Sequence, residues 1–243
     1  MKKLFILILI LLILGFLIPS VSFGAIAIDA FTGSNEATAT SLTFSHTATT
    51  TANRILFVGT SGDVTNDTIT GVTYAGTAMT LIDKNVVSGG RMIYLWMLVN
   101  PASGANNVVV TSNASVLIRA KSASYTGAKQ TGQPDAQVKR VDDTNQTAHT
   151  ISVTTIADNS WMFMVGQNKG SSAVVAGTNA TQRDGTAQDY GIFDTNADQT
   201  PAGSKSMQFT WTTAQPSVGI MASFAPVAEV AATAPTMQII WWD

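Results

Sequence analysis

From about residue 26 to residue 224, apolar side chains recur at every second position, and Gly, Asn, Asp, Ser and Pro interrupt them at short intervals. A period of two marks strands with one buried face, because successive side chains leave a strand on opposite sides. The pattern predicts strands over 26–31, 42–48, 54–61, 69–74, 78–82, 91–99, 107–112 and 116–125. A second series is predicted over 149–155, 160–167, 173–176, 187–193, 206–212 and 217–224. Thr, Val and Ile dominate these runs, and branched side chains pack well on a pleated surface. No segment after residue 24 sustains a 3.6-residue period with caps, so the expected fold class is all-β.

Two segments break the alternation. In 91–99, Met92, Tyr94, Trp96 and Leu98 share one face, and Ile93, Leu95, Met97 and Val99 the other. In 161–165, Trp161 and Phe163 oppose Met162 and Met164. A strand apolar on both faces must be covered on both, so these two are predicted at the centre of the packing.

The order of features also repeats at about 100 residues. His46-Thr47, Ala52-Asn53 and Ile55–Val58 correspond to His149-Thr150, Asp158-Asn159 and Trp161–Met164. Pro101-Ala-Ser-Gly corresponds to Pro201-Ala-Gly-Ser, and Ala123-Ser-Tyr to Ala222-Ser-Phe. Halves 25–126 and 149–226, joined by 127–148, would then build a two-sheet antiparallel sandwich over 25–226. Two architectures fit: one large jelly-roll or concanavalin-like sandwich to which each half gives strands of both sheets, or two tandem immunoglobulin-like sandwiches. The doubly apolar strands favour the single shared core.

The N-terminus reads differently. Lys2 and Lys3 precede an apolar run from Leu4 to Ile18, Pro19 and Ser20 break it, and Ser22 and Gly24 stand at −3 and −1 of a cut before Ala25. That is the layout of a secretory signal peptide over 1–24, which places the mature chain outside the cytoplasm, secreted or at the cell surface. Membrane association is expected only through an uncleaved leader. Residues 227–243 form a C-terminal tail that ends in Trp241-Trp242.

Composition narrows the function classes. Charged residues make up only 12% of the chain, and loss of Lys2 and Lys3 moves the net charge from −2 to about −4. No basic field is available to hold phosphates, which argues against nucleic acid as a partner. The chain has no cysteine, so neither disulfides nor thiolate chemistry can operate, and stability must come from a packed core.

The segments Asn53–Ser61, Val72-Thr-Tyr-Ala-Gly-Thr-Ala-Met-Thr and Ile93-Tyr-Leu-Trp-Met-Leu-Val-Asn-Pro-Ala-Ser-Gly occur in that order. Together they resemble a group of uncharacterised secreted bacterial and phage β-sandwich proteins with Asn-Arg-strand, Val-Thr-Tyr-x-Gly-x-Ala-x-Thr and Asn-Pro-x-Ser-Gly motifs. Ala75 stands where that group usually has Gly, and the aromatic pair is shifted at Trp96-Met97. The resemblance spans about residues 26 to 225. It implies a jelly-roll or lectin-like sandwich in an extracellular setting, and it implies no reaction.

Candidate chemistry is sparse. The two histidines, His46 and His149, occupy matching strand positions, which suits a structural role better than catalysis, and no nucleophile elbow or His-Glu-x-x-His motif is present. No catalytic residue is expected. Asp194, Asn196 and Asp198 place oxygen donors at alternate positions, as in a calcium loop, although Gln199 and Lys205 depart from the EF-hand continuation; Asp63, Asn66 and Asp67 form a shorter version. Calcium is the one candidate cofactor. Tyr74 and Tyr190, close to turns, are the candidate exposed rings for stacking on a sugar, whereas Trp96, Trp161 and Trp211 alternate into core faces. The expected role is a non-enzymatic binding module for glycans or surface polymers, with a self-assembling surface or appendage subunit as the alternative and a hydrolase last.

Overall fold

A computed structural model describes residues 22–62, 66–89, 91–183 and 188–229. Residues 1–21 of the expected leader and 230–243 of the tail lie outside the described residues. The chain divides into a unit of residues 25–227 and a second unit formed by the two ends. In that second unit β1 (Ser22–Phe23) pairs antiparallel with β15 (Ala228–Glu229).

Residues 25–227 form two antiparallel sheets. The first holds β2 (Ala27–Ala48), β3 (Ile55–Gly62), β4 (Ile69–Tyr74), β5 (Thr77–Ala78), β6 (Thr80–Val87), β7 (Arg91–Val99) and β8 (Gly104–Thr126). Its order is β5-β4-β8-β3-β7-β6, with β2 also paired to β8. The second sheet holds β9 (Ala136–Thr155), β10 (Trp161–Asn168), β11 (Val175–Ala176), β12 (Thr181–Gln182), β13 (Tyr190–Asp194) and β14 (Gly203–Phe224), in the order β11-β14-β10-β13-β12 with β9 on β14. Each sheet comes from one half of the chain, and the two halves follow the same strand order. A shared jelly-roll would mix the halves in each sheet, and tandem sandwiches would keep their cores apart. Here the halves face each other across a common core.

Three apolar clusters show how. Between the sheets lie Ile55, Phe57, Ile93, Leu95 and Tyr125 from the first, against Trp161, Phe163, Val165, Ile192 and Phe224 from the second. Phe57 and Phe163 stack at 4.9 Å with their planes 12° apart. The opposite faces of the same strands are also covered. Leu56, Val58, Tyr94 and Trp96 pack under Leu42, Phe44, Ile69, Val72 and Val108 of the first sheet itself. Met162, Met164, Phe193 and Met221 pack under Ile151, Val153, Met207, Phe209 and Trp211 of the second. Each sheet therefore doubles back over its own outer face, giving four layers and three cores. That is why β3, β7 and β10 are apolar on both sides.

The doubling back rests on strands longer than the alternation predicts. The runs expected at 26–31 and 42–48 are one strand, β2, as are 107–112 and 116–125 in β8 and 206–212 and 217–224 in β14. Register shifts at Thr32/Asn35 and Ala39/Ser41 in β2, and at Thr210/Gln215 and Gln215/Ser217 in β14, turn the ribbons without ending them. The expected join at 127–148 is largely strand: β9 begins at Ala136.

The sheets approach closely at Gly59, where a Cβ would stand 2.9 Å from Val165 Cγ2 and 3.0 Å from Ile192 Cγ2 and the Tyr190 hydroxyl. Gly59→Ala is expected to cost about 1–3 kcal/mol through overpacking, measured as a lower urea midpoint with an unchanged slope.

Candidate functional site

The residues singled out for ligand contact face inward. Tyr74 is fully buried, and its hydroxyl donates to the carbonyls of His46 (3.3 Å) and Gly104 (3.2 Å). It alternates with Val72 on the second core's face, so the neighbouring turn does not expose it. Tyr190 is also fully buried; its hydroxyl crosses between the sheets to donate to the Gly59 carbonyl, which the missing side chain leaves reachable. Neither ring can stack on a sugar, which corrects the expectation of exposure. Trp96, Trp161 and Trp211 are buried as well.

The three oxygen donors of the calcium-like loop are already engaged, by three different partners. Asp194 is fully buried and takes Arg183 Nε at 2.8 Å, Arg183 Nη2 at 3.1 Å and the Tyr125 hydroxyl at 2.7 Å. Asn196 Oδ1 also accepts from Arg183, and Asp198 accepts from Trp161 Nε1 at 2.9 Å. The Arg183 guanidinium thus holds Asp194 in a buried ion pair and reaches Asn196, while exposed Asp198 holds the Trp161 indole, and these contacts stand against the calcium expectation for Asp194, Asn196 and Asp198. Burial, then the adjacent Asp194 charge, pushes the Tyr125 phenol well above its ordinary value. Of the shorter version, Asp63 lies outside the described residues, and Asp67 pairs with Lys84 and accepts from the Tyr94 hydroxyl at 3.0 Å.

The residues that sequence reasoning missed lie between the sheets, at the end of the shared core marked by Ser61 and Gln167. Ser61 Oγ donates to Gln167 Oε1 at 2.6 Å, and both residues are buried. Asp189 receives Arg91 at 2.5 Å and Arg119 at 3.4 Å, and Arg119 also reaches Glu36 at 3.3 Å. Lys121 Nζ donates to the Tyr190 carbonyl at 2.8 Å and sits 5.1 Å from its ring centroid. Gln167 Nε2 is buried without a hydrogen-bond partner among the described residues. The available signal was parity: Gln167 and Lys121 occupy inward positions in otherwise apolar runs. Chemically, this polar end can accept and donate hydrogen bonds, and it joins the two halves.

The histidines are buried in the outer layers. His46 Nδ1 meets Ser122 Oγ at 2.9 Å and Thr32 Oγ1 at 3.2 Å; Nε2 meets Ser124 Oγ at 3.0 Å, and that hydroxyl donates to Asp29 at 2.8 Å. His149 Nδ1 meets Ser217 Oγ at 2.7 Å and Asp142 Oδ2 at 3.3 Å, and its ring stacks on Phe209 at 5.1 Å. Burial lowers both imidazoles to about 4, opposed by Asp29 for His46 and by Asp142 for His149. Both are neutral at pH 7 and enclosed, which suits structural acceptors better than general bases.

Their linkage to stability has a definite sign. The unfolded chain binds these protons near pH 6.5 and the folded chain only near 4, so stability is lost as pH falls through that window. Between pH 7 and pH 5 the expected loss is about 2 kcal/mol per histidine. Urea midpoints measured across that range should fall, and should fall less steeply in a His46→Gln, His149→Gln double variant. No family model matches the chain, and no curated protein or solved structure matches it either.

Proposed function

We propose that the chain acts outside the cell as a non-enzymatic structural module that assembles through its sheet edges, exported by the leader over 1–24. The observation that carries this reading is the length and chemistry of two edges. Among the described residues, β2 and β9 each hydrogen-bond on one side only, and they are 22 and 20 residues long. Neither contains proline, β2 has no lysine or arginine, and the Lys139 and Arg140 of β9 are matched by Asp142 and Asp143 on the same strand. Monomeric proteins usually blunt such edges with proline, lysine or a covering segment. The shared strand order of the two sheets also supports reading the halves as a duplicated unit, and the segments Asn53–Ser61, Val72–Thr80 and Ile93–Gly104 support kinship with secreted bacterial and phage sandwiches.

The test is the state of the leader-free chain. Light scattering should show oligomers whose size rises with protein concentration, and fractionation of the producing cells should place the protein outside the cytoplasm. A strictly monomeric chain at every attainable concentration would remove the assembling role.

A second reading, binding of a glycan or surface polymer, gains nothing from Gln167: its Nε2 has no hydrogen-bond partner among the described residues, but the side chain is fully buried. A glycan array on the leader-free chain tests it, and a blank array removes it. Without the rings of Tyr74 and Tyr190 it has no stacking platform.

A further inference from the structure

We infer that two copies of this chain pair antiparallel along the free edge of β9, about a two-fold axis through Val141. This rests on the assembling role proposed above and names its interface. The sequence around Val141 is Lys139-Arg140-Val141-Asp142-Asp143, two cations followed by one apolar residue and two anions. Antiparallel pairing with itself about Val141 sets Arg140 opposite Asp142 and Lys139 opposite Asp143, twice over. In an antiparallel pair, directly opposite residues share a face and their Cβ atoms lie about 5 Å apart, so opposite charges there attract and like charges repel. The segment is its own complement, as a two-fold interface requires.

The structure places this segment where it can act. Val141 is 40% exposed, as a few other large apolar side chains are, Phe31 of β2 among them, and Lys139, Arg140 and Asp143 are exposed beside it. Across β9, Val141 is in register with Val218 of β14, so its backbone is held extended on one side. Its charged neighbours are oriented by contacts within the chain. Lys139 reaches Asp83 at 2.8 Å, Arg140 reaches Asp142 at 2.9 Å and the Thr150 carbonyl at 2.6 Å, and Asp143 accepts from the Ser88 amide at 3.1 Å. The rival edge lacks this symmetry. Asp29 and Glu36 are the only carboxylates of β2, with no cation on the strand, so pairing β2 with itself gains no opposite charge. Between Asp142 and Gln146 the register against β14 shifts, which limits the straight ladder to a few residues and makes the dimer a weak, concentration-dependent one.

The absence of cysteine makes the test clean. A Val141→Cys variant should form a disulfide-linked dimer under mild oxidation, whereas Glu36→Cys on the β2 edge should remain reducible-free monomer. Arg140→Asp should weaken the dimer about tenfold or more by sedimentation, since it places like charges opposite each other twice, and Arg140→Asp with Asp142→Arg should restore it. Circular dichroism of each variant checks that the fold is intact, and Val141→Cys reads the contact without altering charge. Oligomers that persist in Arg140→Asp, or a Val141→Cys crosslink no stronger than that of Glu36→Cys, would overturn the β9 interface while leaving assembly by another edge. A wild-type chain that never oligomerises would overturn both.

Discussion

Arg183→Leu is expected to destabilise the protein by about 3–5 kcal/mol, because it strands the fully buried Asp194 carboxylate without its cation. The Tyr125 hydroxyl would remain as a donor to Asp194, yet one neutral hydrogen bond cannot replace a two-pronged charged one. Urea unfolding at pH 7 measures the loss. A double variant, Arg183→Leu with Asp194→Leu, should recover much of it, since replacing both members of a buried pair with apolar groups is far less costly than removing one. A single variant as stable as the wild type would mean that the pair contributes nothing. Calcium should leave the melting temperature of the wild-type chain unchanged, because Arg183 already engages Asp194 and Asn196, and the Trp161 indole engages Asp198.

Phe57→Ala and Phe163→Ala are each expected to cost about 3–5 kcal/mol, the usual range for emptying a buried aromatic site. The two rings stack on each other from opposite sheets, and Phe224 and Tyr125 pack around them. Their losses should not add: a double-mutant cycle should show coupling of about 0.5–1.5 kcal/mol. If the losses add fully, the two halves do not lean on this contact. Both substitutions lie in the shared core, so the unfolding of the halves should remain a single transition in the wild type.

The all-β, two-sheet character was legible because period-two alternation depends only on which side chains are buried. The doubly apolar segments 91–99 and 161–165 also told of cover on both faces, and the three cores provide it. How that cover arises was not legible. Strands that bend through register shifts keep their hydrogen bonds, but the polar residues at each bend, such as Gly33, Ser34 and Thr40, look the same as turn residues. Residues 136–148 look like a linker because β9 runs there with both faces partly in solvent, and without a buried face there is no alternation to see.

The candidate site failed for a different reason. Tyr74 was assigned by its closeness to the Ala75-Gly76 turn, whereas its parity with Val72 decides its burial. Asp194, Asn196 and Asp198 have the spacing of a metal loop, but their partners, Arg183, Tyr125 and Trp161, come from elsewhere in the chain, and local spacing carries no trace of them. The polar end between the sheets joins Ser61 to Gln167, 106 positions apart, which no single-sequence pattern reveals.

The wiring of the first sheet has a kinetic consequence. Ala27 pairs with Thr126, so that sheet closes only when the last strand of its half returns to the first. Contacts this distant in sequence slow folding into the millisecond-to-second range. Every strand of that sheet nevertheless precedes residue 127, so it can form before the second half emerges from synthesis. Until then the inner faces of Phe57, Leu95 and Tyr125 have nothing to cover them. A chain with only its first sheet formed would therefore expose an apolar face, and aggregation during refolding should depend on how fast the second sheet arrives.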